Sequence, residues 1–347
     1  MPQLLITGGA GFVGSHACLS FLESGYSLVV IDNYSNGSLQ ALRRVSELAG
    51  LNDNSERLNL VEGDICSISD LDRAFSLSKE PIEAVVHFAG LKAVGESLEI
   101  PLKYWDVNVT GSIRLLEAMK RYNCRTIVFS SSATVYGYPK VIPISEEADV
   151  NPINPYGKTK AAVENLLFDL NINEARWRTA SLRYFNPVGS HPSGLIGEDP
   201  NGRPNNLFPF ISQVAVGRMK ELEIFGTDWP TSDGSAIRDY IHVMDLVEGH
   251  RCALEFLLDG PPQSFVMNLG SGKGHSVFEV LHSYEKVIER SLPFKIVSRR
   301  LGDVASSVAD ASLAKSRLGW ETKRNLLDMC KDSWTWQRRN PLGYKSS

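Results

Sequence analysis

The sequence predicts an α/β fold in which a doubly wound parallel sheet carries a smaller C-terminal lobe. Through the first half of the chain, short and continuously apolar segments alternate with longer amphipathic ones. This pattern is typical of parallel strands that are covered by helices on both faces. After residue 186 the rhythm changes to shorter and less regular segments, which predicts a separate lobe.

Six apolar segments predict the strands of the sheet. They are residues 4–7, 28–32, 58–64, 84–90, 126–132 and 179–186. Residues 187–206 are rich in Pro, Gly and Asn and predict a long functional loop. Later segments predict helices near 207–216 and within 243–258, and strands near 222–225, 265–269 and 294–297. We expect a first domain of residues 1–186 and a second of residues 187–347, with some segments returning to the first.

Composition narrows the function classes. With 43% hydrophobic and 22% charged residues, the chain resembles an ordinary globular protein rather than a disordered or membrane one. A net charge of -4 provides no basic surface for nucleic acid. The five cysteines are scattered, and Met1 leads directly into an apolar strand rather than a secretion signal. These features predict a cytoplasmic protein that binds small molecules or other proteins.

A glycine-rich loop follows the first predicted strand and leads into the first predicted helix. Gly8, Gly11 and Gly14 are spaced three residues apart. Such a loop lets the chain turn tightly, lets a pyrophosphate approach the helix N-terminus and lets the helix pack on the strand. The spacing alone is weak evidence, because glycine-rich turns are common. Its position between strand and helix predicts a Rossmann-type dinucleotide site.

An acidic residue, Asp32, ends the second predicted strand. Its carboxylate can accept both hydroxyls of the adenosine ribose and would repel a 2′-phosphate, which predicts NAD rather than NADP as the cofactor. The alternative is a turn or helix-capping role for this side chain. The ends of the third and fourth strands place further candidates at the same edge of the sheet: Asp64, Ile65, Phe88, Ala89 and Gly90.

Two tyrosines are followed four positions later by a lysine, and local structure decides between them. Pro139 interrupts the pair Tyr136 and Lys140, so that this pair cannot share a helix. Tyr156 and Lys160 instead follow a helix-starting Asn-Pro and precede an amphipathic stripe, which places them on one face.

A tyrosine next to an ammonium group is a candidate general base. The ordinary tyrosine pKa of about 10 is too high for this task, so we expect the Lys160 ammonium and the cationic ring of oxidised NAD to lower the pKa of Tyr156. The serines at 130–132 end the fifth strand, where a hydroxyl can position the reacting oxygen. In the alternative interpretation, Tyr156 is a half-buried surface aromatic and the serines are a polar strand end.

These residues resemble the extended short-chain dehydrogenase/reductase family, and within it the NAD-dependent epimerases and dehydratases. The likeness extends from Thr7 to Gln337. Its most specific stretches are His87 to Ser97, Ser130 to Gly137, Leu182 to Gly189 and Arg238 to Asp245.

The resemblance implies roles for individual residues. The implied catalytic residues are Ser132, Tyr156 and Lys160. Further cofactor contacts are implied for Phe12, Val13, Asn33, Asn36, Gly37, Lys92, Asn108, Ser130, Tyr184 and Phe185. The implied substrate contacts are Lys92, Ser132, Ala133, Thr134, Tyr156, Asn186, Asn206, Leu207, Phe225, Arg238, Tyr240, Arg300, Asp303 and Ser307. No metal site is implied, and relatives pair through two helices, so a homodimer is expected.

The implied reaction is NAD-dependent interconversion of UDP-glucose and UDP-galactose. Transient oxidation at C4 of the hexose would make that carbon planar, so that the hydride can return to either face. Two positions depart from the family pattern. Leu301 stands where an acid is common, and the small side chain of Ser307 suggests room for an N-acetylated sugar.

Three alternatives remain. A nucleotide-sugar dehydratase is disfavoured because Ala133 and Thr134 replace its Asp-Glu pair. A UDP-glucuronate-type epimerase stays open as an alternative, because recognition of the sugar carboxylate can depend on few residues. A non-catalytic NAD-binding scaffold or sensor would use the same fold.

Overall fold

The computed structural model describes residues 1–52, 55–300 and 302–346. Thirteen strands lie in these residues: β1 (Gln3–Thr7), β2 (Ser27–Asp32), β3 (Leu58–Glu62), β4 (Ile82–His87), β5 (Thr126–Ser132), β6 (Arg178–Tyr184), β7 (Asn186–Val188), β8 (Leu222–Phe225), β9 (Ile237–His242), β10 (Ser264–Leu269), β11 (Gly274–Ser276), β12 (Phe294–Val297) and β13 (Ser306–Ser307). Seven of them form one parallel sheet in the order β10-β6-β5-β4-β1-β2-β3. The predicted fold class is confirmed.

Twelve α-helices lie in the described ranges: α1 (Phe12–Glu23), α2 (Leu39–Leu48), α3 (Ile68–Leu77), α4 (Val94–Glu99), α5 (Pro101–Trp105), α6 (Gly111–Arg121), α7 (Pro155–Asn173), α8 (Leu207–Ala215), α9 (Val243–Asp259), α10 (Val277–Ile288), α11 (Ser312–Leu318) and α12 (Leu326–Arg339). A π-helical turn at Asp106–Thr110 joins α5 to α6, and 3₁₀ turns cover Ala133–Tyr136 and Gly343–Ser346. Among these helices, none is long and apolar enough to cross a membrane.

The central strands are largely apolar because both faces of the sheet are covered. Successive side chains of a strand point to opposite faces. Leu4 and Ile6 of β1 pack in a core with α1 and α9. Leu5, between them, packs in a second core with α3, α6 and α7. Continuous burial removes the polar alternation of a half-exposed strand and explains why the sheet could be recognised in the sequence.

The remaining strands form two smaller sheets. β9 pairs with β7, β11 and β13, and β12 pairs with β8. A third core, which includes Phe208, Tyr240 and Tyr284, packs these strands against α8, α10 and α12. β10 and α9 return to the large sheet. The boundary at residue 186 stays a prediction.

Three strands end earlier than predicted because the chain leaves the sheet. β4 ends at His87 rather than at residue 90, since the N–H groups of Phe88 and Ala89 both donate to the Thr7 carbonyl at 3.0 and 3.1 Å. β6 ends at Tyr184, and the next residues form the short strand β7 beside β9. β3 also ends two residues early, at Glu62.

A buried ion pair fastens α7 to the sheet. The Arg183 guanidinium donates to both carboxylate oxygens of Glu164, with contacts of 2.6 to 3.2 Å. Ser131 of β5 donates to the same carboxylate at 2.5 Å. Both charged side chains are almost fully buried. Each charge therefore offsets the cost of burying the other.

We predict that Glu164→Gln destabilises the fold by about 3–5 kcal/mol, because it leaves the Arg183 charge buried without a partner. Urea unfolding measures this loss. Glu174→Gln is the control, since Glu174 pairs with Arg125 near the other end of α7 in a more exposed position, where about 1 kcal/mol is expected. Equal losses of stability in the two variants would contradict the role of the Glu164–Arg183 pair in holding α7 to the sheet.

Candidate active site

A cavity of about 460 Å³ opens along the carboxyl ends of the seven-stranded sheet. Its size suits a small-molecule site, and it lies where the strand order reverses between β1 and β4. The structure brings together there most of the predicted cofactor residues. The wall includes Gly8, Gly11, Phe12, Val13, Gly14, Asp32, Asn33, Asn36, Gly37, Asp64, Ile65, Phe88, Ala89, Gly90, Lys92, Tyr156, Lys160 and Tyr184.

The glycine loop is closed by backbone contacts that exclude side chains. Gly8 has φ of +70°, and a Cβ there would lie 2.6 Å from the Ala89 nitrogen. A Cβ on Gly14 would lie 2.1 Å from the Gly8 carbonyl oxygen. At Gly11 the nearest neighbour of a Cβ is 3.4 Å away. The outer glycines therefore close the turn, and the middle one leaves its surface open to a ligand.

Acidic side chains organise the neighbouring edge of the cavity. The Asp32 carboxylate accepts from the N–H groups of Ala10 at 2.9 Å and Tyr34 at 2.8 Å, while burial raises its pKa. Asp64 is partly buried, yet hydrogen bonds from Cys66 and Asn33 lower its pKa. Both carboxylates are held rigidly, and Asp32 keeps lone pairs for ribose hydroxyls.

Tyr156 begins α7 and lies beside the 3₁₀ turn that follows β5. Asn154 caps the helix by accepting from the Gly157 N–H at 2.8 Å. A Cβ on Gly157 would lie 2.8 Å from the Thr134 carbonyl oxygen, so glycine allows the close approach. Burial raises the pKa of Tyr156, and a hydrogen bond with the Ser132 hydroxyl partly offsets this. Ser132 also accepts from the Thr134 N–H and hydroxyl.

Lys160 lies one turn further along α7 and is almost fully buried. Its ammonium donates to the Ser130 carbonyl at 2.9 Å and lies 5.8 Å from the centre of the Tyr156 ring. Burial lowers the pKa of Lys160 to about 8, although Glu164 opposes this. In the chain alone, burial raises the Tyr156 pKa, and the expected lowering, which includes the cationic ring of NAD, stays a prediction. Burial dominates, and an ionised phenol needs a further positive charge nearby.

The competing pair is separated by the fold. The Tyr136 hydroxyl donates to Asn268 at 2.6 Å and accepts from Arg183 at 3.1 Å, inside a buried network. Lys140 pairs with Asp149 on the surface. Tyr136 is therefore structural, and of these two candidates Tyr156 is the one at the cavity.

Three predicted cofactor residues lie behind the cavity wall. Asn108 lies in the π turn. Its side-chain amide accepts from the Leu91 N–H at 2.7 Å and donates to the Leu91 carbonyl and the Thr159 hydroxyl, each at 3.0 Å. Phe185 packs in a buried apolar cluster. The Ser130 hydroxyl bonds His250 at 3.2 Å. These contacts support the wall, and a direct contact with cofactor stays a prediction.

The predicted substrate residues converge beside the cavity. Arg238 donates to the carbonyls of Ile237 and Val304 at 2.9 and 2.8 Å and approaches Asp303 at 3.6 Å. Arg300 bonds the same Asp303 at 3.3 Å and lies 5.2 Å from the Phe225 ring centre. Two guanidinium groups thus flank one carboxylate, which is also the geometry of an ordinary surface ion-pair cluster, and the binding of a diphosphate by these arginines stays a prediction.

The other substrate candidates lie on β7, β13, the start of α8 and the 3₁₀ turn after β5. Asn186 of β7 lies opposite Tyr240 of β9. Ser307 of β13 lies opposite Arg238, which is also in β9. Asn206 and Leu207 lie at the start of α8, and Ala133 and Thr134 open the 3₁₀ turn. The expectation about Leu301 falls outside the described residues.

Glu198 is a cavity residue that the sequence analysis missed. It accepts from Lys92 and from Asn206, each at 3.1 Å. The long loop was predicted to be functional, and Glu198 and Asp199 are its acidic residues. A search of that loop for charged side chains would have found it.

Comparison with known proteins agrees with this geometry. Residues 4–270 match the NAD dependent epimerase/dehydratase family. The chain belongs to this family. The UDP-glucose 4-epimerase of Bacillus subtilis (strain 168) is 52% identical over 344 residues, which cover 99% of each chain.

Solved structures of family members have the same fold. A UDP-glucose 4-epimerase from Bifidobacterium longum, in complex with NAD+ and UDP, superposes with a TM-score of 0.94 at 44% identity and covers 98% of this chain and 99% of its own. One from Stenotrophomonas maltophila, with bound NAD and formylated UDP-arabinopyranose, gives 0.93 at 45% identity with the same coverage.

In this family member, we predict that Lys160→Met stabilises the nucleotide-free protein at pH 7 by about 2 kcal/mol. The folded pKa of about 8 lies below the ordinary 10.5, and the lost bond to Ser130 offsets part of the gain. Below pH 8 both folded and unfolded states hold the proton, so the burial penalty is complete. Between about pH 8 and 10.5 the unfolded state binds more protons, and wild-type stability rises.

The difference in free energy of unfolding between Lys160→Met and wild type, measured with urea, should therefore decrease from pH 7 to 9.5. Lys158→Met, at an exposed position of the same helix, is the control and should show no such pH dependence. A constant difference across this range would contradict the low pKa of Lys160.

Proposed function

We propose that this chain interconverts UDP-glucose and UDP-galactose by NAD-dependent epimerisation at C4 of the hexose. The observation that carries the proposal is the position of Tyr156. Its hydroxyl lies near enough to Ser132 for that side chain to lower the Tyr156 pKa, and its ring centre lies 5.8 Å from the Lys160 ammonium, at the edge of a cavity that also includes the dinucleotide loop. The related epimerases, two of which bind NAD in their solved structures, support the same activity.

The cavity fits NAD as the cofactor. The open surface at Gly11 suits a pyrophosphate beside the N-terminus of α1. Asp32 suits the adenosine ribose, and its charge disfavours a 2′-phosphate. NAD, when bound, supplies the acceptor that takes a hydride from the sugar and returns it.

The chain itself moves the proton. In the proposal, Tyr156 takes the proton of the 4-hydroxyl and later returns it, while the Ser132 hydroxyl orients the sugar hydroxyl through a hydrogen bond. The buried Lys160 ammonium provides a positive field near the phenol. Low solvent exposure strengthens this field.

The substrate is held through its nucleotide in this proposal. Arg238 and Arg300 bind the diphosphate, and Phe225 contacts the uridine. The sugar must be held loosely, because inversion requires the opposite face of C4 to be presented. A dehydratase activity lacks support, since Ala133 and Thr134 offer no carboxyl group and Thr134 bonds Ser132 at 3.0 Å.

We further propose a cytoplasmic homodimer. Apolar side chains on α4, α5 and α7 are exposed, with Leu102 at 83% and Phe168 at 58%. A second copy of the chain would cover this face. Sedimentation equilibrium tests the oligomeric state, and a purely monomeric protein would refute the dimer.

The proposed reaction is tested with purified protein, UDP-galactose and no added NAD. Formation of UDP-glucose supports both the activity and retention of the cofactor. If added NAD also yields no UDP-glucose, the proposed function is wrong.

We predict that Tyr156→Phe lowers kcat by about 10²- to 10⁴-fold, because proton transfer is lost, while UDP affinity changes less than about twofold. Tyr136→Phe is the control. It loses the hydroxyl bonds to Asn268 and Arg183 and should cost about 1–3 kcal/mol of stability with kcat retained. A Tyr156→Phe variant with more than about a tenth of wild-type kcat would remove this tyrosine from its role.

We also predict turnover of UDP-N-acetylglucosamine. Ser307 is small and lies on β13 beside Arg238, and in the proposal the missing bulk accommodates an acetamido group. Ser307→Tyr should reduce kcat/KM for the acetylated sugar by about tenfold more than for UDP-galactose, since a filled pocket excludes the larger substrate. Parallel assays of the two substrates measure this ratio, and an unchanged ratio would contradict the role of Ser307.

A further inference from the structure

Glu198 occupies the boundary between the cofactor side and the substrate side of the cavity. Its side chain is 9% exposed, whereas that of its partner Lys92 is 48% exposed. The same carboxylate oxygen, Oε1, accepts from Lys92 Nζ and from Asn206 Nδ2. One oxygen therefore joins the loop after β4 to the residue that precedes α8.

The backbone that carries this carboxylate is fixed from behind by the C-terminal region. The Trp336 indole donates to the Glu198 carbonyl at 3.2 Å. A Cβ on Gly197 would lie 2.3 Å from the Trp336 ring, so the preceding residue packs directly against α12. The Gly197 N–H donates to the Tyr344 hydroxyl at 3.1 Å. The backbone of Glu198 is thus held by the C-terminal region, and its carboxylate faces two partners that are more exposed than itself.

Both partners depend on Glu198 for their orientation. Asn206 is the N-cap residue of α8, yet its side chain makes no capping hydrogen bond. Its amide is directed at Glu198 instead. Lys92 has a long and half-exposed side chain, whose rotamers are otherwise free. An acceptor at a fixed place limits the orientations of both groups.

We propose that Glu198 is a positioning residue that orients Lys92 and Asn206 toward the UDP moiety of the substrate. The inference rests on the proposed function, which assigns a UDP-sugar to this site. Glu198 itself contacts no substrate in this role and acts through its two partners. Because they lie on opposite sides of the boundary, this one carboxylate aligns the cofactor side with the substrate side.

The sign of the effect separates positioning from simple electrostatics. A carboxylate near a diphosphate repels it, so removal of the charge alone would tighten UDP binding. Removal of a positioning group would weaken UDP binding, because Lys92 and Asn206 must then be ordered when the ligand binds. The two effects change the dissociation constant in opposite directions.

The test compares Glu198→Ala and Glu198→Gln with wild type in the NAD-loaded protein. Calorimetric titration with UDP measures Kd, and steady-state assays with UDP-galactose separate KM from kcat. We expect Glu198→Ala to raise Kd and KM about five- to tenfold and to change kcat less than about twofold. Glu198→Gln keeps an acceptor oxygen at the same reach and should stay within about twofold of wild type.

Two controls distinguish positioning from a general structural effect. Glu174→Ala removes a carboxylate that accepts from Arg125 and Arg176, away from the cavity, and should leave UDP affinity unchanged. In the background Lys92→Met/Asn206→Ala, Glu198→Ala should have no further effect on Kd, since its partners are gone. A full effect in that background would overturn the proposal.

An unchanged or lower Kd in Glu198→Ala would also overturn it. If wild-type protein binds UDP but does not convert UDP-galactose, the proposed reaction fails, and the UDP titrations still decide the role of Glu198. If wild-type protein does not bind UDP, both proposals fail.

Discussion

The hydrogen bond from the buried Lys160 ammonium to the Ser130 carbonyl joins α7 to the end of β5, and the arrangement of the candidate active site depends on it. Tyr156 is one helical turn away, so the same bond sets the height of the phenol above the sheet. The Glu164 and Arg183 ion pair fastens the next turn of α7 to β6. A helix fixed at successive turns cannot slide, so Tyr156 keeps its position relative to the end of β5.

Local features explain why much of this could be predicted from the sequence. The glycine loop and Asp32 lie within one strand, turn and helix unit, whose geometry is set by nearby residues. Tyr156 could be separated from Tyr136 because proline excludes a helix at the latter. In each case the deciding information lies within a few residues along the chain.

The features that were missed depend on contacts distant in sequence. The rise in the Tyr156 pKa comes from burial under several elements, which no local pattern reports. Asn108 was predicted as a cofactor contact, but its bonds to Leu91 and Thr159, on two other segments, were not. Glu198 meets Lys92 across more than a hundred residues. Tertiary packing alone decides whether such polar groups face a ligand or support the wall of the cavity from behind.

Burial of charge at the site is possible because stability is supplied elsewhere. An ammonium with its pKa lowered to about 8 lies in a place that disfavours its charged form, and any folded chain that keeps it there is less stable for it. Two continuous apolar cores, one on each face of the sheet, offset this cost. The catalytic edge can therefore combine strain-free glycine turns with poorly solvated charges, since neither has to hold the sheet together.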